Sequence, residues 1–352
     1  QAFSLFGLSA GLAAVCGPIL GGVLVSANLF GLDWQPIFLV NIPIGIAAVV
    51  AGWFLIPRLP GHAVLRNDYV GILLFGLGIL CVIFPIIEGR AYGWPLWAFA
   101  MIATGLVLLV LFVLWTRARA AAGLSQLLNF DLITNQQFMF GAFVTTIFAS
   151  GIPGMFMVIS LLLQGGFGFT PLESGLTNTP FSVGVLVASA IAGRFGARFL
   201  RARLASAGAL IAVGISLLHF YIAGVTDSID HWAFLPPLLI AGIGLGLGFS
   251  SLFQLVLANV PPRDAGAGSG SLQAFQQVGG ALGVAIIGEL FFGNLGTAFA
   301  AGSSQHAAFA GAASTALLYV MGSFSVVLLL SPLFKRVVPA QRPGAAPAVV
   351  EV

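Results

Sequence analysis

VCGPILGGVLV, residues 15–25, sets a proline and three glycines at the centre of an otherwise apolar run. Proline and glycine are the two poorest helix formers. Pro18 has no N–H, so the carbonyl of Ala14 loses its helical partner and the axis bends there. Inside lipid no water can repair that carbonyl, but a neighbouring helix can if it comes close. Glycines permit the approach: Gly7 and Gly11, then Gly17 and Gly21, are four residues apart and share a helix face, with Gly22 beside them. The stretch reads as a kinked membrane span that packs backbone-close against a partner.

Composition extends this reading to the whole chain. Of 352 residues, 59% are hydrophobic and only 7% charged, against about 25% charged in a soluble domain. The mean hydropathy of +1.08 agrees, and the chain is an all-α polytopic membrane protein by composition. Thirteen basic residues spread over the chain form no basic patch, which excludes a nucleic-acid partner. Cys16 and Cys81 lie in apolar runs and imply neither a disulfide framework nor a metal site. No nucleophile constellation or phosphate loop appears, and GIGLGLG (242–248) follows no strand, so neither an enzyme nor a bound cofactor is expected. The chain opens without Met or a charged leader, inside or just before a span, which suggests sequence upstream.

Ten spans are expected, near 3–26, 36–56, 69–87, 96–116, 136–163, 173–193, 203–224, 232–258, 266–292 and 313–334. The longest connection is then 293–312, small, polar and uncharged. If the first span starts in the cytoplasm, 12 of the 13 basic residues fall on the cytoplasmic side and only Arg90 falls outside. Asp33, Glu88, Glu173, Asp227 and Asp230 collect on the outer side. This asymmetry orients the chain in a cell membrane with its C-terminus cytoplasmic.

The opening stretch resembles the antiporter motif of the major facilitator superfamily, G-x8-G-x3-GP-x2-GG, found in the fifth span of its drug:proton antiporters. Gly17, Pro18, Gly21 and Gly22 match, while Ser4 and Ala13 replace the first two glycines with other small residues. DWQPIFLVNIPIG (33–45), EGRAYGWPLW (88–97), GFTPLESGL (168–176) and ANVPPRDAGAGSGSLQAFQQVGGALGVAIIG (258–288) are similar to the fourteen-span branch, in order. The resemblance implies a major facilitator fold with ten of fourteen expected helices, N-terminally truncated, whose missing spans hold the acidic residue tied to proton coupling. It implies a secondary transporter, a monomer in the lipid bilayer of a bacterial plasma membrane, that exports small lipophilic molecules by alternating access on the proton gradient. The same fold could import a nutrient or siderophore, and a truncated product could fail to transport.

The motif has an internal echo. Gly270-x8-Gly279-x3-Gly283-Val284-x2-Ile287-Gly288 repeats its spacing at an offset of 266, as the parallel repeats of such transporters would. On that plan residues 1–56 are the last two spans of the N-terminal half and 57–120 two extra central spans. Residues 121–336 are the six-helix C-terminal half and 337–352 a Pro/Ala-rich disordered cytoplasmic tail.

Candidate site residues follow from the family plan. Gly11, Gly17, Pro18, Gly21 and Gly22 form the conformational-switch motif, expected to meet Gly184, Ala188 and Ala192 of the sixth span in a dry seam between halves. Gly151, Pro153 and Gly154 should break the fifth span, offering Phe148 and Met155 to a lipophilic ligand, with ordinary packing as the competing reading. Asn178, Gln254 and Gln276 are amides within or opening spans, candidates for substrate contact against the simpler role of joining helices. Glu289 is the only acidic residue inside a span, a candidate proton or cation site, although its depth places it near the outer interface. The loop AGRFGARFLRAR (192–203) carries four arginines suited to anionic lipid heads.

Overall fold

Long apolar runs must satisfy their backbone within themselves, and helices are what forms. The computed structural model describes residues 17, 20–27, 31–32, 34–55, 68–89, 92–128, 130–196, 198–258, 260–261 and 264–335. Among these are nine helical segments long and apolar enough to cross a membrane: Pro36–Leu55, Tyr69–Glu88, Leu96–Ala121, Gln136–Gly166, Pro171–Arg194, Leu200–Ala223, His231–Leu257, Ala265–Ala300 and Gln305–Leu333. They correspond to the second to tenth spans and keep those ordinals below. Of the first span, residue 17 and residues 20–26 are helical, while Gly11 and Pro18 lie outside the described residues, as does the 337–352 tail.

One boundary differs clearly. The ninth span runs on to Ala300 and the tenth begins at Gln305, so the connection expected at 293–312 shrinks to residues 301–304. Its alanines, which read as linker, are the best helix formers. Ser304 starts the tenth span by accepting a hydrogen bond from the Ala307 N–H at 3.4 Å.

The fifth to tenth spans pack together, the eighth against the sixth and seventh, the tenth against the seventh and ninth, and the ninth against the fifth. Glycines set these distances. Gly242 and Gly246 of the eighth span meet the backbone of the sixth at Phe181 and Val185, while Gly244 and Gly248 meet the seventh at Ala207. Spaced by two, the four glycines make two lanes of i, i+4 pairs on different faces. The echo glycines Gly279 and Gly283 seat likewise on the backbone of Thr146 and Ser150 in the fifth span.

The third and fourth spans pair with each other, and the third also touches the ninth. The start of the third span and the end of the fourth are tied by Asp68, which is 4% exposed. Its Oδ1 accepts from the Gly71 N–H and the Trp115 Nε1–H, both at 2.9 Å, and its Oδ2 accepts from the Leu127 N–H at 3.3 Å. Arg119 Nε stands 3.7 Å from Asp68 Oδ2 and donates to the Ser125 carbonyl at 2.7 Å. One carboxylate thus caps the third span and pins the fourth span and the start of the segment leading to the fifth. Burial raises its pKa, but these hydrogen bonds and the Arg119 charge outweigh that and hold it below the ordinary carboxylate value.

The loop between the sixth and seventh spans is anchored by two of its four arginines. Arg203, 8% exposed, donates to the Gly196 carbonyl at 2.9 Å and to Ser250 Oγ at 3.2 Å, and Arg201 donates to the Pro332 carbonyl. Both face protein, while Arg194 and Arg198 are exposed.

Candidate functional site: a seam and cavity at the start of the sixth span

The glycine motif and the sixth span do meet, at a different point from the one expected. Gly22 is buried, and a Cβ built on it would lie 2.9 Å from the Leu172 Cα and 3.1 Å from the Pro171 carbonyl oxygen. The contact is backbone to backbone, at the N-terminal end of the sixth span. Gly21 and Gly17 have nothing within 4 Å of a built Cβ, and Gly17 is exposed. Gly184 and Ala188 have another neighbour: Gly184 packs on the Leu239 carbonyl and Ala188 on Gly246, both in the eighth span. Small residues four apart permit close approach without choosing which helix makes it.

Local chemistry makes the Pro171 end firm. Thr170 and Glu173 form a capping box: Thr170 Oγ1 accepts from the Glu173 N–H at 3.3 Å, and Glu173 Oε2 accepts from the Thr170 N–H at 2.8 Å. T-P-L-E spells this box in the sequence, and it is the signal that would have located the rigid end of the seam. Before it, the fifth span finishes in a π-turn, Leu162–Gly166, a widening that often accompanies functional sites. Gly165 and Gly166 are covered by Phe309, Gln305 Nε2 donates to the Gly165 carbonyl at 2.7 Å, and Phe167 stacks on His306 with ring centroids 4.8 Å apart. The tenth span therefore holds the π-turn in place.

Beside the seam is a cavity of about 380 Å³, bounded by Gly21, Gly22 and Val25 of the first span and by the fifth and sixth. Phe156, Ser160 and Gln164 of the fifth span face it at intervals of four, with Ser174 and Asn178 opposite. Asn178 sits at the junction of Pro171–Thr177 and Thr179–Phe195, 3% exposed. Its Nδ2 donates to the Ser174 carbonyl at 3.0 Å, while its Oδ1 and the Ser174 Oγ have no hydrogen-bond partner. A wider groove of about 660 Å³ opens between the N-terminal ends of the sixth and eighth spans, past Glu173, Val183, Trp232, Leu235 and Leu239. Exposed Trp232 there suits a membrane interface.

The other candidates are placed as follows. Met155 is fully buried, and Phe148 packs edge-on against Phe324 at 5.3 Å and over Gly248. Both belong to the packed core of spans five to ten, because Gly151 keeps helical angles and Gly151 and Gly154 admit Phe324 and Ile287 close to the backbone. The expected break is only a slight interruption, so neither side chain is turned toward a cavity. Gln254 is half-buried, with its Nε2 donating to the Ser250 carbonyl one turn back at 3.1 Å. Gln276 is half-buried with its Oε1 unpartnered. Glu289 lies on an exposed face of the ninth span. The structure thus brings Gly21, Gly22 and Asn178 together and leaves Phe148, Met155, Gln254 and Glu289 apart from them. Ser174 and Gln164 are additions that only the cavity reveals. No His, Cys, Asp and Glu cluster able to hold a metal occurs among the described residues.

Nine apolar spans among the described residues define a multi-pass helical membrane protein. The Major Facilitator Superfamily model matches residues 63–284, and the chain belongs to that superfamily. It is 38% identical over 299 residues to a probable actinorhodin transporter of Streptomyces coelicolor, covering 84% of this chain and 51% of the relative. It is 31% identical over 296 residues to a multidrug resistance protein B homolog of Mycobacterium tuberculosis, covering 82% and 53%. It is 27% identical over 294 residues to the tetracenomycin C resistance and export protein of Streptomyces glaucescens, covering 82% and 52%. The chain spans about half the length of these relatives.

Proposed function

We propose that the chain carries the outer gate and C-terminal half of a drug exporter that works by alternating access on the proton gradient. The observation that carries this reading is Gly22, seated on the Pro171–Leu172 backbone with a cavity directly beside it. A seam of that kind closes the outer side while the opposite side is free to open, and rocking apart at the same contact would release a solute outward. A relative named for tetracenomycin C resistance and export supports the direction, and relatives named for methylenomycin A resistance and for actinorhodin transport support a drug-like substrate. The basic residues on alternate loops support a bacterial plasma membrane with the C-terminus in the cytoplasm, and the protein acts as a monomer without a bound cofactor.

The test is expression of the complete gene in an efflux-deficient bacterial host. Accumulation of lipophilic dyes and antibiotics is expected to fall, and to recover when an ionophore collapses the proton gradient. Unchanged accumulation across a broad panel of lipophilic cations and antibiotics would refute export.

A further inference from the structure

The geometry points to a hydrogen-bonding subsite at the outer cavity that selects neutral solutes bearing an O–H or N–H donor over lipophilic cations; this rests on the export reading above and names its substrate class. Three observations carry it. The first is an unmet need. The Ser174 Oγ and the Asn178 Oδ1 are buried without a partner, and the two residues are 1% and 3% exposed. A buried polar atom left unpaired costs about 1–3 kcal/mol, so both are ready to accept from a ligand. The second is orientation. Asn178 Nδ2 is committed to the Ser174 carbonyl at 3.0 Å, and exchanging the amide nitrogen and oxygen would set two acceptors against each other. The carbonyl oxygen is therefore the atom left over, and it is held in place before a ligand arrives. The third is charge. The described residues lining the cavity include no acidic or basic side chain. Glu173, the carboxylate nearest in sequence, is engaged by the Thr170 N–H and hydroxyl at 2.8 and 2.9 Å and lines the separate groove beside the eighth span. A desolvated cation would find no counter-charge here, whereas a hydroxyl finds two acceptors, with Phe156 and Ile37 for its apolar body.

The experiment measures binding rather than export, on the full-length protein in nanodiscs. The probes are tritiated estradiol, its 3,17-dimethyl ether, which has the same body without O–H donors, and the cation tetraphenylphosphonium. Wild type should prefer estradiol to the ether by about fivefold or more, the scale of one buried hydrogen bond, and bind the cation most weakly. Asn178→Leu should bring the preference close to one, with the thermal midpoint reporting that the protein is folded. Ser174→Ala, a smaller change, should lower the preference by a factor of two to three. Failure of estradiol to bind, equal binding of estradiol and ether by wild type, an unaltered preference in Asn178→Leu, or tightest binding of the cation overturns the subsite. Failed export with the binding preference intact would instead count against the transport reading alone.

Discussion

Adding one methyl group at Gly22 should open the outer side. A Cβ at this position would lie 2.9 Å from the Leu172 Cα and 3.3 Å from its nitrogen. Both are backbone atoms, so no side chain can turn aside. Restoring an ordinary contact of at least 3.4 Å parts the two helices by about 0.5 Å. Overpacking of this kind costs about 1–3 kcal/mol, charged only to the state in which the seam is shut. The equilibrium between closed and open outer sides then shifts by about 5- to 150-fold. Gly21→Ala is the internal control, since it gains the same helix propensity but meets nothing within 4 Å. With Cys16 and Cys81 replaced by serine and Ser160, which lines the cavity, replaced by cysteine, an impermeant maleimide added outside intact cells reads the opening. Gly22→Ala should raise the labelling rate fivefold or more, and Gly21→Ala should change it less than twofold. Equal labelling of the two variants would show that Gly22 does not shut the seam.

Met155→Ala, at a fully buried site, should cost about 2–5 kcal/mol and lower the thermal midpoint without altering the ratio of exported substrates. A shifted substrate profile with unchanged stability would make Met155 a ligand contact. Asp68→Asn should destabilise the protein by about 1–3 kcal/mol at neutral pH. Because the folded carboxyl titrates below its ordinary value, its contribution is complete above the usual carboxylate range and lost as pH falls through the lowered pKa. Thermal melts of wild type and Asp68→Asn should therefore draw together as pH falls below the ordinary carboxylate range and meet only below the lowered pKa, and a gap that does not narrow over that range would refute the assigned role of the charge.

Much of the architecture is legible because a bilayer leaves few options. An apolar run of span length must be a helix, and the second to tenth spans lie where hydropathy puts them, apart from the ends around 293–312. Those ends were misread because alanine and glycine are common to linkers and to close-packed helices. Pairing was less legible. The glycine motif announces a close contact, yet Gly184 and Ala188 offered an equally good small face that the eighth span occupies. Phe148 and Met155 stood between ligand contact and ordinary packing because Gly151 and Pro153 suggested a broken helix, but a proline in the first turn costs little, and the two side chains pack. Asp68 was invisible as a tie: its partners Trp115 and Leu127 are 47 and 59 residues away, and only the fold brings them together. Ser174 and Asn178 could be seen as polar residues in a span. That two of their atoms lack partners is a fact of packing alone.

The two glycine lanes of the eighth span have a mechanical consequence. Where side chains interdigitate, a helix can slide by exchanging rotamers. At Gly242, Gly244 and Gly246 main chain rests on main chain of neighbouring helices on two sides, and peptide planes have no rotamers to exchange. The eighth span behaves as a keystone, unable to turn or shift without dislodging both the sixth and the seventh. Movement in this half of the molecule must then be that of a lever swung whole, with the give concentrated at edges such as the Gly22 contact.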